Sequence, residues 1–493
     1  MPKGNRKIST FFVISHGDGH PFHFPLTSHS NLDFVVFCSD QHYFVLKQRT
    51  MSSTSSNNND NSISQTDRVL QLLQENPLSD ALEYYAYGTA GFRYKADWME
   101  GLFVRVGIVS AFLLNNNDDD TNNNSHVDGG NMGLMVTASH NDESYNGIKV
   151  SNPDGSMMTP DQERLMVEWV NQKDLQPWKI RLESYFDDKR KNKNAKEVVL
   201  HVGRDTRSHS QSLTDLAIRG AKAMGITVID HGILTTPMLH HIVLYSNLSK
   251  DGDDEAVATR ASYIQHYAQA YCDLIHSMRK KQKDQPALRS SSSSLRVDCA
   301  CGVGFKAVQE VVQAIQSRDG GGAFGSRMIH PWNAPGQGPL NVQCGSEHVQ
   351  KQLQSPNWYS SNTSTLDNDD DTSYCCALDG DADRIVFFAK SNENDDLLLL
   401  DGDKIAVLIA HVLQPLVRTL DANLTMGVVQ TAYANGASTK YLKVCVSVSY
   451  DSITLYSHSL SFSLVIVAFP RCNLLYANQI LASLYLFPSC SGV

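Results

Sequence analysis

One stretch of the sequence decides the fold: Gly133-Leu-Met-Val-Thr-Ala-Ser-His-Asn-Asp-Glu-Ser-Tyr-Asn-Gly-Ile-Lys149. Its first five residues are short, apolar or β-branched, which predicts a buried strand. The strand then gives way to Ser139, His140 and Asn141, whose side chains can donate, accept or carry a proton. A polar loop that directly follows a buried strand is typical of a site.

The second half of this stretch predicts a return strand. Asn146-Gly147 is a turn signal, and Ile148-Lys149-Val150 has strand composition again. We therefore expect Lys149 to come back toward Ser139 across the turn. The same pattern also fits a purely structural hairpin in which Ser139 is a capping residue.

A second stretch, Ala377-Leu-Asp379-Gly-Asp381-Ala-Asp383-Arg384, places three carboxylates at alternate positions of a loop that we predict to be extended. Such carboxylates point the same way and repel one another, so the cluster normally needs a divalent cation, and oxygen ligands favour Mg²⁺ or Ca²⁺ over zinc. An EF-hand is excluded, because its sixth and twelfth positions would be Arg384 and Lys390 instead of Gly and Glu. The attached arginine indicates Mg²⁺ beside a phosphate; the alternative is a solvated acidic turn.

These two stretches together resemble the α-D-phosphohexomutase superfamily, in which Thr137-Ala-Ser139-His140-Asn141 is followed by Lys149 ten residues after the serine. Further motifs resemble the phosphoacetylglucosamine mutase family within it. They are Tyr87-Gly-Thr-Ala-Gly-Phe-Arg93, Gly203-Arg-Asp-Thr-Arg207, Leu234-Thr-Thr-Pro237, Leu340-Asn-Val-Gln-Cys-Gly345, Asp401-Gly-Asp-Lys404 and Gly427-Val-Val-Gln-Thr-Ala-Tyr-Ala-Asn-Gly436. The resemblance runs from Gln65 to Val444.

The resemblance implies an α/β fold of several domains with mixed sheets and a phosphohexomutase-like architecture. The expected divisions are a disordered extension outside the family (residues 1–64), domain I with the serine loop (65–250), domain II with the metal loop (251–398), part of domain III (399–444) and a tail unlike the family (445–493). The tail has only two charged side chains, Asp451 and Arg471. We expect a truncated or mispredicted C-terminus that lacks the fourth domain, and therefore impaired activity.

The resemblance also implies a chemistry, in which Ser139 is a phosphoserine. It would pass its phosphoryl group to N-acetylglucosamine 6-phosphate, forming a bisphosphate, and take back the other phosphate to leave N-acetylglucosamine 1-phosphate for UDP-N-acetylglucosamine biosynthesis. Asp379, Asp381 and Asp383, with an oxygen of phosphorylated Ser139, would hold Mg²⁺. Changing Asp381 to Asn is expected to weaken Mg²⁺ binding and to relieve repulsion in the metal-free protein.

Lys149 is the expected proton acceptor of this chemistry, with His140 and Arg93 close by. A lysine serves as a base only if its pKa is depressed, and we expect neighbouring Arg93 and Arg384 to depress it.

Loop arginines are the expected phosphate ligands. Arg93 lies in a glycine-containing loop, and Arg204 and Arg207 lie between a predicted strand and helix, where α/β folds bind ligands. Arg384 follows the aspartates directly. The alternative for Arg93 is an ordinary exposed arginine, and for Arg204 and Arg207 a capped helix with surface arginines.

Apolar periodicity predicts the main elements of the chain. The predicted helices are Thr66–Gln74, Phe103–Leu114, Ser210–Met224, Phe305–Ile315 and Ile405–Leu416, and the predicted strands include Val198–Val202, Ile226–Ile229, a strand opening at Leu295 and Met426–Thr431. Flexible inserts are expected at residues 115–124 and 290–294. A strand, helix and strand from Val198 onward form a βαβ unit with a right-handed crossover.

Composition limits the partners and the compartment. The chain has 493 residues, of which 41% are hydrophobic, and a net charge of −10 that argues against nucleic acid. Its ten cysteines form no Cys-x-x-Cys pair, which indicates a reducing compartment, and we expect a cytoplasmic monomer that binds a small sugar phosphate. The apolar run Leu464–Phe469 is too short to cross a membrane, so no membrane partner is expected.

Two other functions compete with the mutase. An aspartyl-phosphate phosphatase would use Asp379 as its nucleophile, which leaves Ser139 and Lys149 without roles. A non-catalytic truncated homologue is the second alternative.

Overall fold

The structure is a computed structural model. It describes residues 34–39, 42–47, 63–88, 91–115, 130–192, 197–248, 258–281, 294–319, 329–357, 374–390, 396–420, 425–429, 434–445 and 464–468. The chain divides into two compact units, residues 1–62 and residues 63–493. The predicted inserts at 115–124 and 290–294 lie almost wholly outside the described residues.

The first unit contains a pair of strands, β1 (Phe34–Ser39) and β2 (His42–Lys47), which run antiparallel. A disordered extension was predicted up to residue 64, so this pair is a difference from the prediction. Both segments are rich in β-branched and aromatic residues, which favour strands. Ser64 also belongs to the ordered chain, because its side chain accepts a hydrogen bond from Asp67 N at 3.0 Å and caps the first helix.

The second unit opens with a five-stranded mixed sheet in the order β3-β5-β4-β6-β7. Its strands are β3 (Phe92–Lys95), β4 (Met132–Val136), β5 (Tyr145–Ser151), β6 (Val199–Arg204) and β7 (Thr227–Ile233). Strands β4, β6 and β7 are parallel, whereas β5 is antiparallel to both β3 and β4. The predicted βαβ unit is therefore present, and β4 lies in the middle of the sheet.

The helices that accompany this sheet are α1 (Gln65–Glu75), α2 (Glu100–Asn115), α3 (Pro160–Val170), α4 (Leu175–Lys191), α5 (Ser210–Ala223) and α6 (Thr236–Leu248), with a short 3₁₀ helix at Ala96–Trp98. Helix α7 (Arg260–Lys281) packs against α6 and against the later helix Gly304–Asp319. Helix α2 is buried along its whole apolar run from Leu102 to Leu114. A helix that is apolar all round lies inside a protein, and α2 packs closely on α5, since a Cβ atom added to Gly107 would lie 2.0 Å from Ala217 O.

The predicted turn at Asn146-Gly147 is wrong, because both residues lie inside β5. Gly147 pairs with Arg93 of β3, and a Cβ atom added there would come within 2.5 Å of Thr137 O. The glycine therefore allows close strand packing between β3 and the end of β4. The chain reverses earlier, where Asn141 N donates to Ala138 O at 3.0 Å.

A second five-stranded sheet has the order β12-β11-β10-β8-β9. Its strands are β8 (Leu295–Asp298), β9 (Ile329–Trp332), β10 (Tyr374–Leu378), β11 (Ile385–Lys390) and β12 (Leu397–Leu400), and its helices are α8 (Gly304–Asp319) and α9 (Ser346–Gln352). Strand β8 is parallel to β9 and β10, and β11 is antiparallel to β10 and β12. The predicted domain boundary at residue 398 falls inside β12, so a boundary there would cut a strand.

The remaining elements are α10 (Gly402–Leu420), β13 (Thr425–Val429), α11 (Gly436–Cys445) and β14 (Leu464–Ala468), and β13 pairs antiparallel with β14. The helices predicted from periodicity all occur, each within a few residues of its predicted ends. Within the described residues, no helix is both long and apolar enough to cross a membrane. The two sheets each place a loop at the carboxyl end of an inner strand, the position where α/β sheets bind ligands.

Candidate active site

The first of these loops follows β4 and carries Ser139. Ser139 has φ 47°, in the left-handed region that costs an L-residue roughly 1–2 kcal/mol. Its amide donates to Thr137 Oγ1 at 2.9 Å, which closes a tight bend directly after the strand. The residue is 1% exposed, and its Oγ donates to Asp381 Oδ2 at 3.0 Å. The loop therefore aims the hydroxyl at the second sheet.

The second loop joins β10 to β11 and carries the three aspartates. One carboxylate oxygen from each of Asp379, Asp381 and Asp383 lies within 4.8 Å of the others. The loop is a tight turn and is not extended as predicted. Ala382 has φ 56°, and Asp379 Oδ1 accepts from the amides of Asp383 and Arg384 at 3.1 and 3.2 Å. Asp379 thus folds the loop that gathers the other two carboxylates.

One oxygen atom joins the two loops. Asp381 Oδ2 accepts from Ser139 Oγ at 3.0 Å, from Lys149 Nζ at 3.0 Å and from Thr236 Oγ1 at 2.7 Å. Lys149 Nζ also donates to Asp383 Oδ2 at 2.8 Å. Ser139 and Lys149 are therefore neighbours across a single oxygen, as expected from the sequence.

Burial and charge act differently on the aspartates. Burial raises the pKa of Asp379 well above its usual value, and the charges of Asp383 and Asp381 raise it further. Burial also acts to raise the pKa of Asp381, but Lys149 and the hydroxyl donors outweigh it and hold this pKa below its usual value. Asp381 is thus a stable anion, whereas the charge on Asp379 is disfavoured.

The depressed pKa expected for Lys149 is wrong. Burial acts to lower it, but the adjacent Asp381 and Asp383 carboxylates more than offset burial, so the pKa of Lys149 is raised. The sequence identified the arginines near Lys149 and could not show that two carboxylates lie closer.

The donor set fits a hard divalent cation. Across the described part of the chain, Asp379 Oδ2 and Asp381 Oδ1 are buried oxygens that accept no hydrogen bond. Buried polar atoms are nearly always satisfied, so two orphaned oxygens within a carboxylate cluster indicate a missing partner. Oxygen ligands alone suit Mg²⁺ or Ca²⁺.

Cationic groups border the acidic cluster. Arg384 Nη1 lies 3.4 Å from Glu347 Oε2, and its Nε lies 3.7 Å from Asp379 Oδ2. Arg93 Nη1 donates to Asn141 Oδ1 at 3.5 Å, and burial and then the charge of Arg384 lower the pKa of Arg93. Burial and Arg384 also lower the pKa of His140 to about 3, which leaves its ring neutral at pH 7. Arg93 and Arg384 therefore place positive charge beside the acidic cluster, where a polyanion can bind.

Arg204 ends β6 and Arg207 lies in the loop that follows it, and the phosphate-binding role expected for both stays a prediction. The Arg207 side chain is fully buried, pairs with Asp205 through Nη1, and donates from Nη2 to Asn141 O at 2.6 Å. It supports the serine loop from inside, because the parallel strands β4 and β6 end side by side. Arg204 Nη1 lies 3.3 Å from Asp230 Oδ1 across β6 and β7. In this structure, neither guanidinium is brought to Ser139 Oγ or to the aspartates by a hydrogen bond or ion pair within the described residues.

Sequence reasoning gave no role to three residues that shape the site. Thr236 bonds to Asp381 through its hydroxyl and through its amide, which donates to Asp381 O at 3.1 Å. Asn341 donates to the carbonyls of Ser139 and Asn141 at 2.8 and 3.0 Å. Asp298 is completely buried and accepts from Gly345 N at 2.7 Å. Thr236 and Asn341 lie in motifs that the sequence analysis quoted. Asp298 could have been found as an aspartate at the carboxyl end of a parallel strand, where α/β folds bind ligands.

Comparison with known proteins places this geometry in a family. Residues 123–177 and 182–252 match phosphoglucomutase/phosphomannomutase, alpha/beta/alpha domain I, and residues 401–455 match phosphoacetylglucosamine mutase AMG1, domain III. Phosphoacetylglucosamine mutase of Homo sapiens is 32% identical over 362 residues, which cover 73% of this chain and 59% of the human protein. That of Arabidopsis thaliana is 33% identical over 368 residues, covering 73% and 60%.

A solved structure agrees. Aspergillus fumigatus N-acetylphosphoglucosamine mutase, in complex with GlcNAc-6P and magnesium, superposes with a TM-score of 0.64 at 25% identity, over 86% of this chain and 78% of that chain. The present chain spans about three fifths of the length of the curated relatives it matches.

The α/β fold and these matches define a member of the α-D-phosphohexomutase superfamily. Within that superfamily, the chain belongs to the phosphoacetylglucosamine mutase family, as its motifs predicted. Its relatives are isomerases that interconvert sugar phosphates. The domain boundaries and the roles of individual site residues stay predictions.

Proposed function

We propose that this chain interconverts N-acetylglucosamine 6-phosphate and N-acetylglucosamine 1-phosphate by passing a phosphoryl group through Ser139. The observation that carries the proposal is the contact of Ser139 Oγ with Asp381 Oδ2 at 3.0 Å. A serine hydroxyl that is held by a cluster able to bind a divalent cation is placed for phosphoryl transfer, in which positioning and charge neutralisation do most of the work.

The bond changes balance within one cycle. When phosphorylated Ser139 reacts, its P–O bond breaks while a sugar hydroxyl forms a new bond to phosphorus, which leaves a bisphosphate. The proton that the sugar hydroxyl loses replaces the one that a group of the site gives to Ser139 Oγ. The reverse reaction with the other phosphate restores phosphoserine and releases the isomer. The enzyme therefore needs a group that gives and takes a proton at Ser139 Oγ.

Lys149 is our proposal for this group, because it and Ser139 bond to the same oxygen of Asp381. The raised pKa of Lys149 keeps it protonated, so it acts first as the proton donor to Ser139 Oγ, and the proton that the sugar hydroxyl loses restores its charge. Arg93 and Arg384 supply positive charge beside the cluster for the phosphoryl oxygens. Neutral His140 lies in the same loop and can bond to the reacting hydroxyl. Arg207 acts behind this layer by holding Asn141 O.

Asp379, Asp381 and Asp383, together with phosphorylated Ser139, would hold Mg²⁺, which when bound neutralises charge on the transferred group. Thr236 keeps Asp381 in place for this by bonding to both its side chain and its carbonyl. Aspergillus fumigatus N-acetylphosphoglucosamine mutase, which has been solved with magnesium, supports the choice of metal.

The geometry disfavours a phosphatase that uses Asp379 as its nucleophile. Asp379 is completely buried, and its Oδ1 is occupied by two backbone amides at 3.1 and 3.2 Å. Its Oδ2 belongs to the oxygen cluster that fits a cation, and a phosphatase of this kind would leave the contact of Ser139 Oγ with Asp381 without a role.

Replacement of Ser139 tests the proposal. The purified chain is incubated with glucose 1,6-bisphosphate and Mg²⁺, phosphopeptides are mapped by mass spectrometry, and N-acetylglucosamine 6-phosphate is then added while ³¹P spectra follow the 1-phosphate. We expect Ser139→Ala to abolish both phosphoryl uptake and product. Ser144→Ala is the matched control, since that serine lies in the same loop and is exposed. Transfer that persists in Ser139→Ala would disprove the role of Ser139.

A further inference from the structure

We infer that Asn341 is a positioning residue for the nucleophile: its side-chain amide, contributed by the second sheet's half of the site, holds the Ser139 loop in the backbone conformation that directs Oγ to Asp381. This inference rests on the proposed function of Ser139. Asn341 makes no hydrogen bond to the aspartates within the described residues, so we assign its effect to the Ser139 loop.

The Ser139 loop needs an external support. Ser139 is a non-glycine residue with φ 47°, so its local backbone preference favours another conformation. Local bonds from Ser139 N to Thr137 Oγ1 and from Asn141 N to Ala138 O fix the amides of the bend. The carbonyls of Ser139 and Asn141 are left for partners outside the bend, and Arg207 Nη2 already donates to Asn141 O at 2.6 Å.

Asn341 satisfies both carbonyls with one group. Its Nδ2 carries two hydrogens and donates to Ser139 O at 2.8 Å and to Asn141 O at 3.0 Å. Because both partners are acceptors, the amide can only face them with its nitrogen. Its Oδ1 is buried and accepts no hydrogen bond in the described part of the chain, so the side chain acts through its donors.

The backbone of Asn341 is itself held in place. Its backbone N–H donates to Ala300 O at 3.0 Å, and its φ of 59° is one that asparagine tolerates better than most residues. Buried Asp298 ties the same region together by accepting from Ala300 N at 3.0 Å and Gly345 N at 2.7 Å. The support therefore runs from the end of β8 to the nucleophile.

The aspartate loop closes on the same carbonyl. A Cβ atom added to Gly380 would lie 2.7 Å from Ser139 O and 3.0 Å from Asn341 Nδ2. Ser139 O is thus confined between the aspartate loop and the asparagine amide, and loss of the amide frees it on one side only.

Two variants remove the hydrogen-bond donor of the Asn341 side chain while keeping the backbone conformation of residue 341. Asn341→Asp keeps the size and the tolerance of positive φ, but it replaces the donor by a carboxylate oxygen that repels both carbonyls. Asn341→Gly keeps the backbone conformation and deletes the side chain. Asn357→Ala is the matched control, because Asn357 Nδ2 bonds to Gln343 Oε1 at 2.6 Å and supports the same 340–345 segment from its other side.

Hydrogen exchange gives the first readout and does not depend on activity. We expect amides of the peptide covering residues 137–142 to exchange roughly tenfold faster in both Asn341 variants, with β4 and β5 unchanged and Asn357→Ala like the wild type. A general loss of protection in all three variants would indicate a merely structural role and overturn the inference, as would unchanged exchange at 137–142.

Phosphoryl uptake from glucose 1,6-bisphosphate gives the second readout. The maximal rate of Ser139 phosphorylation should fall roughly 10- to 100-fold, while the donor concentration at half-saturation and the Mg²⁺-induced shift of the melting temperature stay within about twofold of wild type. A changed half-saturation with an unchanged rate would overturn the inference. If the wild type itself takes up no phosphoryl group, the proposed function fails, and exchange alone decides the role of Asn341.

Discussion

The Ser139 loop and the aspartate loop reach the same oxygen atom by different means. The aspartate loop is folded mainly from within, because Asp379 Oδ1 accepts from the amides four and five residues later, and Thr236 adds one support for Asp381 from outside. The Ser139 loop relies more on groups from elsewhere, with Arg207 holding Asn141 O from the loop after β6 and Asn341 holding Ser139 O from 202 residues away. Ser139 is therefore placed by tertiary contacts to a greater extent than the three aspartates are.

This difference predicts where a single substitution acts. A substitution that removes Arg207 should disturb the packing of the first sheet, because this support of the Ser139 loop is buried there. A substitution in the aspartate loop should change the charge of the site more than its packing.

The largest effect should come from the buried cation behind the Ser139 loop. Arg207→Ala leaves Asp205 buried without its ion-pair partner, and we expect the free energy of unfolding to fall by about 4 kcal/mol. Arg204→Ala is the control, because its pair with Asp230 is partly solvated and should contribute no more than about 1 kcal/mol. Urea unfolding at pH 7 measures both. An equal fall in the free energy of unfolding in both variants would show that the buried Arg207 pair stabilises the protein no more than the partly solvated Arg204 pair.

The next effect concerns the shared oxygen. Asp381→Asn removes the charge that Lys149 faces, and we expect it to destabilise the metal-free protein by about 3 kcal/mol and to suppress the melting-temperature shift produced by Mg²⁺. The sequence had predicted the opposite, namely that the substitution relieves repulsion in the metal-free protein. The structure changes this expectation, because the partners of Asp381 hold its pKa low and so stabilise its charge. Calorimetry in EDTA and in Mg²⁺ decides it. A stabilised metal-free variant would show that repulsion dominates at Asp381 after all.

Acid should weaken the sheet that carries the Ser139 loop. Burial and then His231 lower the pKa of His201 in β6 to about 4, and burial lowers the pKa of His231. Because the folded pKa lies below the unfolded value of 6.5, this stability is complete above pH 6.5 and is lost as pH falls toward 4. At pH 5 the loss through His201 is about 2 kcal/mol. His201→Gln should flatten the curve between pH 7 and 5, and the same slope in both proteins would argue against it.

The smallest effect has the opposite sign. Asp379→Asn keeps the oxygen that accepts from the amides of Asp383 and Arg384 and removes a charge disfavoured by burial. We expect the metal-free protein to gain roughly 1 kcal/mol and to lose Mg²⁺ affinity. Unfolding in EDTA, compared with Asp381→Asn, tests the sign. Destabilisation of the same size in both would mean that the two carboxylates are equivalent.

The sequence predicted what is local. Alternate carboxylates gave the acidic cluster, and apolar periodicity gave the helices and the βαβ unit. The same reasoning failed where strand pairing or long-range charge decides the outcome: Asn146-Gly147 became part of β5 because β3 pairs along it, and the pKa of Lys149 rose because Asp381 lies against it. Nothing in the sequence indicated that Arg207 would be buried. An aspartate two residues before an arginine fits an exposed loop equally well, and only the fold shows that Asp205 and Arg207 form a buried pair.

Asn341 and Asp381 contact Ser139 only in the folded chain, so these contacts form after Ser139 has been synthesised. Ser139 and Asp381 are 242 residues apart. At about 5–20 residues per second, a ribosome exposes the serine roughly 12–50 s before the aspartate. During that interval the first sheet can form, but its serine faces solvent without its acidic partner. Under the proposed function, Ser139 acquires its first phosphoryl group only after synthesis has passed the second sheet, so that chemical maturation would report the completion of folding.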